Sequence, residues 1–277
     1  MKRILSTLLF SAVTLVSYAQ ESFEFNTKLQ PNSTYSMHMK SIMEMNIDIH
    51  TEQEIPDMEK NINTKSESEI TLKTISFAKD QSNNIPFEIS YTDINAKTFV
   101  NGQQNPSTDE SLKGLYQVKI KGVDNGIKRE FTQIDGPDEY KKMFEILYNS
   151  FESMMVTPKG NFKINDKHTV QNEFKVPMPD GSEFTLGMDT SYTLTKIEDG
   201  KAYFDVEMSS KPSSQKMEAF TIEVESYQVS GKMKLDMKDN NISESTIQGP
   251  MVMNMLGAGF KMIMKTTYDY KINSKKM

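Results

Sequence analysis

Tyr35-Ser36-Met37-His38-Met39-Lys40-Ser41-Ile42-Met43-Glu44-Met45-Asn46-Ile47-Asp48-Ile49 alternates between two kinds of side chain. The odd positions are Tyr35, Met37, Met39, Ser41, Met43, Met45, Ile47 and Ile49, and they are largely apolar. The even positions include His38, Lys40, Glu44, Asn46 and Asp48. Successive side chains on a strand point to opposite faces, so this period of two predicts a strand with one packed face and one wet face. It is long for a globular strand, which implies a large curved sheet. The pattern returns at Tyr227, Val229, Gly231, Met233, Leu235 and Met237, and again at Phe260, Met262, Met264, Thr266, Tyr268, Tyr270 and Ile272.

Shorter strands fill the intervals. Ile70–Phe77 and Ile85–Tyr91 flank the polar turn Lys79 to Asn84. Tyr116, Val118 and Ile120 lead into Asp124-Asn125-Gly126, and Asp199-Gly200 joins Tyr192–Ile197 to Ala202–Met208. Both are hairpin signals, because Asn, Asp and Gly tolerate positive φ. Gly257-Ala258-Gly259 is read as the turn between the strands Met251–Met255 and Phe260–Ile272, and Asn101–Lys113 and Lys211–Lys216 as polar loops. One stretch departs from period two: Tyr140, Met143, Phe144, Leu147, Tyr148, Phe151, Met154 and Met155 recur at helical spacing. Pro137 suits a first helical position, Asp138 and Glu139 complement the helix dipole, and Pro158 limits the far end.

Short phrases on the two sides of this helix match. Ser68-Glu69-Ile70-Thr71-Leu72 parallels Ser182-Glu183-Phe184-Thr185-Leu186, and Tyr116-Gln117-Val118 parallels Tyr227-Gln228-Val229. Asp124-Asn125-Gly126-Ile127 parallels Asp239-Asn240-Asn241-Ile242, and Gly136-Pro137 parallels Gly249-Pro250. The expected fold is therefore mainly β: curved antiparallel sheets or an unclosed β-barrel from two similar units, with one central amphipathic helix. The expected segments are a signal peptide at 1–19, a first β unit at 20–136, the helix at 137–157 and a second β unit at 158–277, with 20–277 as one domain.

The first residues read as an export signal. Lys2 and Arg3 precede an apolar run from Ile4 to Val16, and Ser17-Tyr18-Ala19 supplies a cleavage site before Gln20. The apolar run is too short to span a bilayer, and no later run is long enough. The expected location is the periplasm, with the extracellular space as the alternative. Cleavage would take the net charge from −6 to about −8, which disfavours phosphate backbones, so nucleic acid is not an expected partner. The absence of Cys removes thiol nucleophiles, disulfides and thiolate metal sites, so stability must come from an ordinary core.

Methionine is unusually frequent, at 21. Met37-His38-Met39, Met43-Glu44-Met45, Met251-Val252-Met253-Asn254-Met255 and Met262-Ile263-Met264 have the spacing used by Cu(I) handlers. On a strand, however, that spacing places both thioethers on the apolar face. They are read as adaptable core filler, or as the lining of a cavity that repacks around apolar ligands. No metal and no cofactor are expected. His38, His50 and His168 lack ligand spacing, and no nucleophile elbow, zinc-helix motif or phosphate loop is present, so no enzyme activity is expected.

The opening Leu29-Gln30-Pro31-Asn32-Ser33-Thr34-Tyr35, the Met-rich strand after it, the central helix and Pro158-Lys159-Gly160-Asn161-Phe162 resemble an uncharacterised family of secreted Bacteroidota proteins. That family carries a domain of unknown function. Its members open with Leu-x-x-Gly-x-x-Tyr, and here Asn32 stands in place of the Gly. The resemblance implies no catalytic residues. The layout is also similar, at the level of fold, to the unclosed-barrel carriers of lipoproteins and lipids in bacterial envelopes. The functional expectation is a non-catalytic envelope protein that binds a lipid or other apolar small molecule. The expected groove is lined by Met37, Met39, Met43, Met45 and Met233, with Met262 and Met264, under a helix contributing Phe144 and Phe151. The alternative is a structural or interaction module that contacts another envelope protein.

Overall fold

Alternation of this kind runs through most of the chain and makes antiparallel pairing the dominant interaction. The computed structural model describes residues 22–25, 28–52, 59–105, 112, 114–126, 129–138, 140–141, 158, 160–177 and 183–277. The strands in these residues are β1 (Ser22–Phe25), β2 (Thr34–Thr51), β3 (Asn61–Ser76), β4 (Ile85–Val100), β5 (Gln103–Asn105), β6 (Lys119–Asp124), β7 (Arg129–Asp135) and β8 (Gly160–Lys163). They continue with β9 (Lys167–Pro177), β10 (Glu183–Glu198), β11 (Lys201–Ser210), β12 (Ser213–Lys216), β13 (Phe220–Asp236), β14 (Asn241–Gly257) and β15 (Phe260–Lys276).

One 13-stranded sheet runs β7-β6-β4-β3-β2-β15-β14-β13-β11-β10-β9, with β5 on β4 and β12 on β13. It is curved and does not close into a barrel. β1 and β8 form a separate pair. The first and last long strands meet in the middle of the sheet, where β2 pairs with β15 from Tyr35 opposite Lys276 to Thr51 opposite Phe260. From β2 at its centre the sheet thus builds outward to β7, resumes at the far edge with β9, and finishes with β15 beside β2.

Most hairpins are tight. Asp199 and Gly200 both take positive φ, at 50° and 70°, as a two-residue primed turn requires. Asn32 also sits at a φ of 51°. Asn is the non-glycine residue best suited to that region, so it fits the turn.

All apolar faces point the same way, and two buried clusters form at the flanks. One gathers Phe204, Leu194, Tyr192 and Leu235 under β1 and β8, whose Phe23, Phe25 and Phe162 rings stack edge-on against Phe204. The other gathers Ile85, Phe87, Ile89 and Ile120 under Leu29, Leu115 and Val118. Asp124, only 2% exposed, ties the second cluster down by accepting the Leu29 amide at 2.8 Å, with Arg129 at 3.6 Å.

Several expectations change. Only the first turn of the expected helix lies in the described residues, where the Tyr140 and Lys141 amides donate to the Pro137 carbonyl; the remainder lies outside them. The other described helical element of several residues is a 3-10 turn at Gly114–Gln117, so Tyr116 is not on a strand. The loops expected at Asn101–Lys113 and Lys211–Lys216 contain β5 and β12. The strands at 70 and 85 are far longer than their apolar alternation suggests. The export signal at 1–19 lies outside the described residues.

The matched phrases share one contact. A Cβ on Gly136 would lie 3.3 Å from the Gln117 carbonyl oxygen and from the Val118 Cα. One on Gly249 would lie 2.3 Å from the Gln228 carbonyl oxygen and 2.7 Å from the Val229 Cα. Each Gly-Pro therefore presses on the Gln-Val of its matched Tyr-Gln-Val.

Candidate ligand-binding face

Opposite residues in an antiparallel ladder share a face at a Cα separation of about 4.5–5.5 Å, so register alone assembles the centre of the inner face. Met264 on β15 lies between Met253 on β14 and Ile47 on β2. One step along, Met262 lies between Met255 and Ile49. Met45 faces Thr266 on one side and Thr64 on the other, and Met43 faces Tyr268 and Ser66. Ser41 faces Tyr270 and Ser68, and Met39 faces Ile272 and Ile70. Met37 faces Leu72 and Ser274.

Of the seven expected methionine positions, six stand together on β2 and β15. Met233 stands two strands beyond β15, opposite Ser245 and Phe204. Phe144 and Phe151 lie outside the described residues.

Burial corrects the reading of these methionines as simple core. Met233 and Met264 are buried, at 4% and 8% exposure. Met37, Met39, Met43, Met45 and Met262 are only partly covered. The physical reason is that the two clusters are capped from the flanks by β1–β8 and by the Leu29–Leu115–Val118 layer. The middles of the central strands carry the same apolar face, with Met251, Met253 and Tyr268 packed against the first cluster and Ile70 and Leu72 against the second. Met251, Met253 and Met255 are also partly covered and belong to the same lining. Their own Met-x-Met alternation was the signal for including them.

Reasoning from apolar residues alone missed a band of hydroxyls across this face. The Ser41 and Ser68 hydroxyls are 2.7 Å apart, and those of Ser66 and Thr98 are 3.4 Å apart. Thr64 and Thr266 continue the band on either side of Met45. Tyr268 and Tyr270 stack with ring centroids 6.0 Å apart, and the Tyr268 hydroxyl points at the Met251 sulfur at 4.0 Å. Burial pushes the Tyr268 and Tyr270 phenols above their ordinary pKa. Burial, with the field of Tyr270, pushes Tyr227 up to about 12.

The opposite face is charged. Lys40 pairs with Glu69 at 2.8 Å and Lys65 with Glu67 at 2.9 Å, all at least partly exposed to solvent, so they contribute little stability but keep that face wet. An open depression of about 220 Å³ is bordered by Lys40, Glu67, Glu69 and Lys97, and also by Ser41 and Ser68. His38 lies on this side, 3.2 Å from the Thr71 hydroxyl. His168 is not a free surface residue, because it stacks on Phe162 at 3.9 Å. Among the described residues no group of three or more His, Cys, Asp or Glu side chains could hold a metal ion. No described helix is long and apolar enough to cross a membrane.

Several solved structures match this chain at low similarity. A chain described under lipid-protein interactions in lipovitellin matches with a TM-score of 0.48 at 9% identity, over 88% of this chain and 25% of that one. This chain therefore spans about a quarter of that chain's length. The secretin domain β-barrel of InvG from the Salmonella SPI-1 injectisome matches with a TM-score of 0.22 at 9% identity, over 99% and 68% of the two chains. The transport unit of the autotransporter AIDA-I from Escherichia coli gives 0.19 at 8% identity, over 89% and 91%. At these scores the likenesses carry no argument about function. No family model and no curated protein matches the chain, so the Bacteroidota family remains a resemblance of short motifs.

Proposed function

We propose that this chain is a non-catalytic exported envelope protein that holds a lipid or other apolar molecule against the centre of its inner face. The observation that carries this reading is the continuity of that face. Methionines from β2, β14 and β15 form one apolar surface between two buried cores, yet most remain partly exposed. Contiguous apolar surface of this kind is uncommon on a protein without a partner for it. Thioether side chains repack at low cost, which suits a surface that must fit varied apolar shapes. In this reading 20–277 acts as one body, and the apolar stripe read at 140–155, with Phe144 and Phe151, covers the bound molecule.

The test is binding of diphenylhexatriene, an uncharged fluorescent probe, by the wild-type protein and by Phe144→Ala and Phe151→Ala. A covering role predicts weaker probe retention with modest loss of thermal stability. Large destabilisation by both changes, with no probe bound by the wild type, would reject the reading and leave an interaction module. Export predicts a mature chain beginning at Gln20 by intact mass.

A further inference from the structure

The lining of the inner face says more about its ligand than that it is apolar. Followed by register, the inward positions of the central strands are Ile62, Thr64, Ser66, Ser68, Ile70 and Leu72 on β3, and Met37 to Ile49 at odd numbers on β2. On β15 they run from Met262 to Ser274 at even numbers, and on β14 from Ser245 to Met255 at odd numbers. None of these side chains is charged. Lys40, Glu44, Lys65, Glu67, Glu69 and Lys265, on the same strands, all fall on the other face, where they pair with one another or with Asp48.

The lining is also zoned. Ile47, Ile49, Met253, Met255, Met262 and Met264 make an apolar zone at one end. Met37, Met39, Ile70, Leu72 and Ile272 make another at the opposite end. The hydroxyl band of Thr64, Ser66, Ser68, Ser41 and Thr98 lies between them, beside Tyr268 and Tyr270. A hydroxyl has one donor and two acceptor lone pairs, so the bonded pair Ser41–Ser68 spends one of its two donors on itself. The pair Ser66–Thr98 does the same. Each pair keeps one donor for an acceptor placed over the band.

We propose that this face takes an uncharged lipid whose polar group, an ester or hydroxyl, lies between apolar arms, rather than a free fatty acid or an anionic phospholipid. The inference rests on the ligand-binding reading above. A carbonyl oxygen over the band receives a hydrogen bond from each Ser or Ser–Thr pair, and the arms run over the two methionine zones. A carboxylate or phosphate in the same place meets no cation among the described inward residues of these strands, and taking it out of water without a partner is costly.

The experiment is displacement of diphenylhexatriene from the purified protein by ligands of one acyl chain length: a diacylglycerol, a wax ester with arms of equal length, the free fatty acid at alkaline pH, and the alkane. The two esters should displace the probe at concentrations at least about tenfold below the free acid. Ser41→Ala with Ser68→Ala should remove most of the ester's advantage over the alkane, read as the ratio of their displacement concentrations within each protein. Both serines are partly exposed, so the variant is expected to fold. Equal or tighter binding of the free acid, or an unchanged ester preference in the double variant, would overturn the proposal while leaving an apolar site. Absence of probe binding by the wild type would remove the site itself, and this inference with it.

Discussion

Met253 on β14 and Met264 on β15 stand directly opposite each other, and Met255 and Met262 repeat the relation one step along the ladder. Four thioethers from two Met-x-Met phrases thus form one block on the inner face. Their environments differ, since Met264 is buried and the other three are partly exposed.

That difference sets the first expectation. Met264→Ala should cost about 2–5 kcal/mol, the usual range for truncating a buried methionine. Met43→Ala, on the partly exposed part of the same face, should cost clearly less, while Met43→Leu should cost under about 1.5 kcal/mol. Chemical unfolding of the three variants measures this. Equal costs at positions 43 and 264 would show that the centre of the face is ordinary core.

Soft metal binding is the competing use of such a block. A monovalent cation there would find thioether donors but no anionic side chain among the described inward residues of β2, β14 and β15, so its loss of hydration is poorly offset. Titration with Cu(I) under reducing conditions should show no tight stoichiometric binding. Tight binding that is lost in Met253→Leu with Met262→Leu would contradict this.

Gly249 makes a third expectation. A side chain there would drive into the Gln228 carbonyl and the Val229 Cα, both backbone atoms of β13, the strand paired with β14. Gly249→Ala should destabilise by about 1–3 kcal/mol or more, as overpacking does. Gly187 on β10 has no atom within 4 Å of its added Cβ, so Gly187→Ala should be near neutral. Thermal unfolding of the pair decides it, and a tolerated Gly249→Ala would mean that the hairpin is packed differently.

Alkaline pH probes the tyrosines of the inner face. Folding raises Tyr227 from about 10 to about 12, through burial first and then Tyr270. Between those values the unfolded chain ionises this phenol and the folded chain does not. Its contribution is therefore full below about pH 10 and is lost as pH rises through about 12. Tyr91, Tyr192, Tyr268 and Tyr270 are raised by burial in the same sense. Phenolate absorbance from these residues should appear only with loss of β circular dichroism. Smooth ionisation with the sheet intact would contradict their burial.

The β architecture was legible where apolar alternation is strong, as at Tyr35–Ile49 and Phe260–Ile272. It was illegible at Thr64, Ser66 and Ser68 and at Ala96 and Thr98, because there the inward positions carry small or hydroxyl side chains. The hydrophobic period disappears although the pleat continues. Those same residues form much of the hydroxyl band, so the part of the site that a hydrophobic scan misses is the part that hides half of β3 and β4. The short strand β1 escaped for another reason. Its Phe23 and Phe25 have meaning only against Phe204, and that partner is remote in sequence.

The central claim is that the methionine-lined inner face holds an apolar molecule. Native mass spectrometry of the protein purified gently from its own source tests it most directly. The expected result is a discrete species heavier than the polypeptide by the mass of an uncharged lipid, released on mild activation and much reduced when Met45→Lys places a charge on the face. A bare polypeptide mass under conditions that preserve known lipid complexes would contradict it.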